Sequence, residues 1–257
     1  MAEARIMGMP VTVSGVDADA AAIVFAWLRR VDGLFSTYRP DSEVCRLDRG
    51  ELAVGDADPL VREVLERCER LRIETGGYFD ARASGRLDPS GLVKGWAVDR
   101  AAALLEARGA RRFCVSAGGD LVVRGGPWRV GVRHPRRRRR LAAALTVSDA
   151  AVATSGAYER GQHVLDPHTR RPARGARSVT VVGPDLGTAD AYATAAFAMG
   201  AAGPAWTAGF DGYEAMTVIG VRVLSTPGFA RLCGGSVSAG LRPSPAWRSP
   251  TRAGCPA

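Results

Sequence analysis

Residues 112–124 read RFCVSAGGDLVVR, and within this stretch the hydrophobic pattern of the chain changes its period. Before it, apolar residues recur at the three- and four-residue spacing of helices, whereas here they recur at every second position, as in β-strands. The Gly118-Gly119 pair predicts a tight turn between strands at 112–117 and 120–124. A second interpretation of the two glycines is a flat backbone surface against a ligand. The pattern alone leaves both interpretations open.

Helices are predicted mainly on the N-terminal side of this stretch and strands mainly on its C-terminal side. The helical patterns cover residues 17–35, a segment from Asp58-Pro59 to Gly76-Gly77, a segment from about Lys94 to Gly109, and two segments at 188–200 and 203–209. The strand patterns cover residues 5–14, 128–134 with 141–147, 178–183, and a hairpin across 213–224. Residues 35–47 are predicted to form a loop. Helices mixed with largely antiparallel strands indicate the α+β class.

One domain is predicted across residues 1–233. The chain has 257 residues, 46% of them hydrophobic, which is sufficient for one large core or for two closely packed halves. Residues 234–257 are rich in Gly, Pro, Ser and Arg, and we expect them to form a disordered tail. The sequence contains no run of about 18 apolar residues, so no membrane span is predicted. The first residues lack the pattern of a secretory signal. We therefore expect a cytoplasmic protein.

The formal charge of the chain is +9, but nearly all of its basic residues are arginine. Lys94 is the single lysine among 35 Lys and Arg residues, which indicates a codon bias that replaces lysine wherever arginine serves equally well. Its retention indicates a position where a compact ammonium is needed and a planar guanidinium does not fit. The run Arg136–Arg140 is expected at an exposed hairpin tip. Without interleaved aromatic residues or a recognition motif, it does not indicate nucleic-acid binding.

Two segments place charged side chains and glycines near predicted helix starts. The first is Asp88-Pro-Ser-Gly-Leu-Val-Lys-Gly95, and backbone amides at a helix N-terminus attract anions such as phosphate. In the second, Asp190 and Thr194 lie one helical turn apart on the same face. A carboxylate and a hydroxyl are hard oxygen ligands, which suit Mg²⁺ together with water and substrate phosphate. The alternative is capping by Thr188, with Asp190 favouring the helix dipole.

The segment 153–172 contains hydroxyl groups and two of the three histidines in the chain. His163 and His168 lie within six residues of each other, with Asp166 between them. This grouping favours a functional role, because the charge of an imidazole changes near neutral pH. The spacing does not fit a zinc site, and no cysteine is nearby to complete one. The five cysteines of the chain are widely spaced without a CxxC pair, so they predict neither a zinc knuckle nor a disulfide framework.

Together these segments resemble the FAD:protein FMN transferase family, known as the ApbE family, from Met7 to about Phe229. Seven motifs occur in the order of the family, and the set is far more specific than any one motif. They are Met7-Gly8-Met9 in place of Met-Gly-Thr, FSTYRPDS at 35–42, Gly77-Tyr78-Phe79-Asp80, Asp88 to Gly95, Gly118-Gly119-Asp120, the segment from Thr154-Ser155-Gly156 through His163 to Asp166-Pro167, and Asp190 to Thr194. Longer family members carry an insertion where this chain has only the short stretch from Asp80 to Asp88, which implies a more open adenine pocket here.

The resemblance implies an ApbE-like fold with two intimately associated halves. It also implies an enzyme that transfers FMN from FAD to a threonine or serine hydroxyl of a target flavoprotein and releases AMP. The implied FAD contacts are Met7, Tyr78, Phe79, Asp80, Asp88, Lys94, Gly118, Gly119, Ser155, Gly156 and His163. Magnesium would be held by the Gly91 carbonyl, Asp190 and Thr194. His163 and Asp190 are the implied catalytic residues, with His163 near the transferred phosphate to assist proton transfer.

Two other functions fit the same residues. An FAD pyrophosphatase would use water in place of the protein hydroxyl and would release FMN and AMP. A flavin-binding protein without catalysis would leave FAD intact. The presence of Asp190, Thr194 and His163 argues against this last interpretation.

Overall fold

The computed structural model describes residues 1–137, 139–156, 164–234 and 242–243. The strands are β1 Ala2–Ile6, β2 Met9–Ser14, β3 Phe113–Ala117, β4 Asp120–Arg124, β5 Trp128–Arg133, β6 Leu141–Val147, β7 Ala150–Gly156, β8 Leu165–Asp166, β9 Arg171–Pro172, β10 Ser178–Gly183, β11 Glu214–Ile219, β12 Arg222–Ser225 and β13 Arg242–Pro243. A nine-stranded sheet has the order β1-β2-β3-β4-β7-β10-β11-β12-β13, with β5–β6 and β8–β9 as separate two-stranded sheets. Every pair in these sheets is antiparallel except β12–β13.

The helices are α1 Ala18–Phe35, α2 Glu43–Asp48, α3 Pro59–Glu74, α4 Ser90–Glu106, α5 Leu186–Met199, α6 Gly203–Thr207 and α7 Pro227–Leu232. Four of these seven helices in the described ranges, α1, α2, α3 and α5, begin at a capping side chain. Asp17, Asp58 and Asp185 each accept a backbone N–H of the first turn at 2.8 Å, at the starts of α1, α3 and α5. These carboxylates satisfy amides that have no partner within the helix. No helix in the described ranges is long and apolar enough to cross a membrane.

The large sheet separates two hydrophobic cores. Because successive side chains of a strand point to opposite faces, Val122 lies in the core beneath the helices, while Val123 lies in the core beneath β5–β6 and α7. The same alternation separates Ala151 and Ala153 of β7 from Val152. This layered arrangement confirms the predicted α+β class.

Helices α4 and α5 approach each other closely at Gly95. A Cβ atom added to Gly95 of α4 would lie 2.6 Å from the carbonyl carbon of Leu186 and 2.8 Å from the amide nitrogen of Gly187. The Asp99 carboxylate, one turn further along α4, accepts the N–H groups of Leu186 and Gly187, each at 2.8 Å. The backbone of α5 is therefore fixed against α4 at its first turn.

Two local predictions from the sequence are wrong, and one strand was not predicted. Residues 5–14 form a hairpin with a turn at Met7-Gly8, where both residues have positive φ, rather than one strand. The predicted loop at 35–47 contains α2, because the Ser42 hydroxyl caps it by accepting the Cys45 N–H at 3.1 Å. The strand that was not predicted is β7, which contains the start of the segment 153–172 and whose small side chains gave a weak strand signal.

The domain assignment to 1–233 and the disordered tail at 234–257 stay predictions. Gly234 and the backbone of 242–243 are described, whereas 235–241 and 244–257 lie outside the described residues. The backbone of Arg242–Pro243 pairs with β12.

Replacing Gly95 with alanine should destabilise the fold. Alanine favours a helix over glycine by up to about 1 kcal/mol, but the added methyl would force α4 and α5 apart, at a cost of about 1–3 kcal/mol. The matched control is Gly33→Ala in α1, where an added Cβ would have no atom within 4 Å. Urea denaturation should show Gly95→Ala below wild type and Gly33→Ala equal to or above it. Equal stability of the two variants would contradict the close approach.

The partly buried Asp99 should give the fold a specific pH dependence. Burial raises the pKa of its carboxyl from 3.8 to about 6, although the two N–H bonds act in the opposite direction. Because the pKa is higher in the folded state than in the unfolded state, Asp99 makes a stabilising contribution to the free energy of unfolding. This contribution is complete below about pH 4 and is lost as the pH rises through about 6. The free energy of unfolding of wild type, relative to that of Asp99→Asn, should therefore decrease as the pH rises from about 4 to about 6. If urea denaturation shows that the free energies of unfolding of the two proteins change with pH in parallel, the raised pKa of Asp99 is contradicted.

Candidate active site

A cavity of about 720 Å³ opens where the N-terminal end of α4 and the middle of α5 meet the ends of the central strands. This volume lies in the range of small-molecule and cofactor sites. Its wall is formed by the β1–β2 turn, the end of α1 with the loop after it, the segment 78–84, the start of α4, the end of β7 and the segment 164–167. Helices and strands supply the floor of the cavity, and loops supply its rim.

The structure brings most of the sequence-predicted site residues to this cavity. Those that line it are Met7, Tyr78, Phe79, Asp80, Asp88, Gly91, Lys94, Gly118, Ser155, Gly156, Asp190 and Thr194. Gly119 forms the turn between β3 and β4 with a positive φ and is not part of the lining. His163 lies outside the described residues. The ligand contacts assigned to these residues stay predictions.

The start of α4 is shaped by Asp88 and Gly91. Asp88 accepts the Ser90 N–H at 3.0 Å, and its own N–H donates to the Ala81 carbonyl at 2.7 Å. A Cβ on Gly91 would lie 3.2 Å from the Phe79 ring and 3.7 Å from Thr194 Oγ1. Glycine at this position therefore allows the first turn of α4 to approach α5 and the Phe79 ring closely.

Lys94 lies between two buried carboxylates. Its Nζ is 2.5 Å from Asp120 Oδ2 and 3.5 Å from Asp190 Oδ2, and the side chains of the two aspartates are 2% and 4% exposed. Burying a carboxylate costs free energy unless a counter-charge or hydrogen bonds compensate it. A compact ammonium can lie within reach of both carboxylates, which accounts for a lysine in a chain that otherwise uses arginine.

The oxygen donors near Lys94 fit a magnesium ion. The Asp190 carboxylate and the Thr194 hydroxyl lie on one face of α5, and Thr194 Oγ1 is 3.2 Å from Ser155 Oγ. Gly91 is adjacent, with its Cβ position 3.7 Å from Thr194 Oγ1, and the family resemblance implies its carbonyl as a third oxygen. No group of three or more His, Cys, Asp or Glu side chains in the described part of the chain is arranged to hold a metal. A donor set of one carboxylate, a hydroxyl and a carbonyl suits Mg²⁺, which completes its shell with water and substrate phosphate.

His168 has a packing role in the structure. Its ring meets the edge of Tyr78 with the centroids 4.5 Å apart, and it does not line the cavity. Asp166 accepts the His168 N–H at 3.0 Å and the Thr169 hydroxyl at 3.1 Å, which closes the turn between β8 and β9. The β8–β9 hairpin thus supports Tyr78 at the cavity rim.

Several residues near the site were not predicted from the sequence. Those that line the cavity include Met9, Asp32, Phe35, Tyr38, Thr154 and Val164. Tyr38 is 92% exposed, which is unusual for an aromatic side chain, and the FSTYRPDS motif was the available signal for it. Asp120 lies behind Lys94, and its place directly after the Gly118-Gly119 turn was the signal for this second carboxylate.

Comparison with known proteins adds independent information. The model of the ApbE family matches residues 7–85 and 81–217. Relatives named FAD:protein FMN transferase include one from Vibrio cholerae, 30% identical over 59% of this chain and 50% of the relative, and one from Rhodobacter capsulatus, 31% identical over 70% and 34%. One from Escherichia coli is 35% identical over 44% of this chain and 37% of the relative. The matches thus span about half the length of these curated relatives or less.

Solved structures show the same fold. The flavin transferase ApbE from Vibrio cholerae has a TM-score of 0.80 at 21% identity, covering 90% of this chain and 98% of that one. The apo form of the flavinyl transferase ApbE from Pseudomonas stutzeri has a TM-score of 0.78 at 26% identity, covering 91% and 96%. Because the family model matches well over half of the residues, from the β1–β2 turn to β11, this chain belongs to the ApbE family.

Proposed function

We propose that this protein is a magnesium-dependent transferase that moves FMN from FAD to a threonine hydroxyl of an acceptor flavoprotein. The observation that carries the proposal is the juxtaposition of Asp190, Thr194, Gly91 and Lys94 on the floor of one cavity. The activity named for the relatives supports it. The proposal includes the cytoplasmic location expected from the sequence.

FAD is the substrate in this proposal, and its diphosphate would lie over the start of α4. The amides of the first helical turn and the positive end of the helix dipole favour an anion at that position. The Asp190 carboxylate, the Thr194 hydroxyl and the Gly91 carbonyl would hold Mg²⁺, which when bound offsets the charge of the diphosphate. Lys94 would add a second positive charge at the wall of the cavity.

In the transfer, the acceptor oxygen forms a bond to the phosphorus of the FMN half. The bond from that phosphorus to the bridging oxygen breaks, and AMP leaves with the bridging oxygen. The hydroxyl proton of the acceptor passes to a base, for which the family resemblance implies His163. Positioning and charge neutralisation dominate such reactions, and rigid helices and strands provide the positioning here.

The test of the proposal is mass spectrometry on an acceptor peptide. The protein would be incubated with FAD, Mg²⁺ and a threonine-containing peptide from a flavoprotein of the same organism. We expect the peptide to gain the mass of FMN while AMP is released. Release of FMN and AMP without modification of the peptide would instead identify an FAD pyrophosphatase, and intact FAD would identify a binding protein.

Replacing Asp190 with alanine should abolish magnesium-dependent transfer. The change removes the carboxylate that would hold the metal, and loss of metal assistance is expected to slow transfer at least about a hundredfold. AMP release and peptide modification would be measured together, with circular dichroism to confirm folding. The control is Asp211→Ala on the exposed surface, which should behave as wild type. An Asp190→Ala protein that remains active would contradict the metal assignment.

Replacing Lys94 with arginine should weaken FAD binding. The planar guanidinium is larger than the ammonium that lies within reach of both Asp120 and Asp190, so it would be displaced into the cavity. We expect the dissociation constant for FAD to rise by about tenfold or more, measured by titration calorimetry. Equal affinity in wild type and variant would show that the site does not require a lysine.

A further inference from the structure

The Lys94 ammonium is shared unequally between its two carboxylates. Asp120 Oδ2 lies 1 Å closer to Nζ than Asp190 Oδ2 does, at 2.5 Å against 3.5 Å. Asp120 is held in place by contacts of its own. Its other oxygen, Oδ1, accepts the Thr154 N–H at 2.8 Å, and its backbone pairs with Ala117 directly after the glycine turn. The ammonium therefore lies closer to the carboxylate of the strand than to that of α5.

This asymmetry matters because Asp190 is also the proposed metal ligand. An ammonium in close contact with Asp190 would oppose a divalent cation at the same carboxylate, both by occupying space and by like-charge repulsion. The charges of Lys94, Asp120 and Asp190 sum to −1, which attracts a cation. If Asp120 were neutral, the sum would be zero and Lys94 would be left with Asp190.

We infer that Asp120 is a positioning residue that holds the Lys94 ammonium aside and keeps Asp190 available to the metal ion. Asp120 does not line the cavity, so it acts through Lys94 and contacts neither substrate nor metal. The inference rests on the proposed function, since it takes Asp190 to be the metal ligand. It assigns a role to the aspartate of the Gly118-Gly119-Asp120 turn beyond the geometry of the turn.

The inference can be tested by metal binding in the absence of FAD. The probe is Mn²⁺, which takes the same hard oxygen ligands as Mg²⁺ and whose free form is measured by electron paramagnetic resonance. Four proteins would be compared, namely wild type, Asp190→Asn, Asp120→Asn and the double variant Asp120→Asn/Lys94→Met. Asparagine preserves the size of Asp120, and its carbonyl oxygen can still accept the Thr154 N–H. Circular dichroism would confirm that each protein is folded.

The expected order of the Mn²⁺ affinities follows the summed charge of the side chains at positions 94, 120 and 190. Asp120→Asn should bind Mn²⁺ roughly tenfold more weakly than wild type, because Lys94 then competes at Asp190. The double variant should recover to near the wild-type affinity, because removal of the ammonium restores a charge of −1. A purely structural role for Asp120 predicts the opposite, with the double variant binding no better than the single one. If Asp120→Asn does not fold, the same pair would be made with Asp120→Ser.

Two results would overturn the inference, and they have different meanings. If wild type binds Mn²⁺ no better than Asp190→Asn, the metal site of the proposed function is wrong and the inference fails with it. If wild type binds through Asp190 but Asp120→Asn has the same affinity, or the double variant shows no recovery, the inference alone is wrong. The Mg²⁺ concentration for half-maximal AMP release should likewise be higher for Asp120→Asn than for wild type.

Discussion

Gly95 of α4 lies against the backbone of Leu186 and Gly187 at the start of α5, with no room for a Cβ atom between them. Asp99 then accepts both amides of that first turn, so the contact fixes the rotation of α5 as well as its distance from α4. Further along α5, Asp190 and Thr194 face the start of α4 as a consequence. The geometry of the candidate site therefore depends on one backbone contact made about one helical turn away from it.

The second constraint is electrostatic. Two nearly fully buried carboxylates, Asp120 and Asp190, are brought together by a strand and a helix that are far apart in sequence. Such a pair is stable only with compensating positive charge, which Lys94 supplies from a third element. The formal charges of these three groups sum to −1 beside a cavity, which favours a cation there.

The rim of the cavity is built differently from its floor. Tyr38 projects from the loop after α1 with almost its whole surface exposed, and Tyr78 is supported by the ring of His168 from the β8–β9 hairpin. Loops tolerate sequence change better than packed helices and strands. The ApbE fold is retained at 21% identity to the Vibrio cholerae structure.

The sequence by itself determined the fold class, most helix and strand positions, and many of the residues that line the cavity. Hydrophobic period, capping aspartates and turn glycines are local signals, and the seven ordered motifs marked the site. It did not reveal the break at Met7-Gly8, the small-residue strand β7, or the role of Asp120. Each of these depends on contacts between distant segments, because a strand of small residues is defined by its neighbours and a counter-ion by what lies opposite it. Only the tertiary structure, by closing α4 against α5 and β4, decided that Lys94 lies between Asp120 and Asp190.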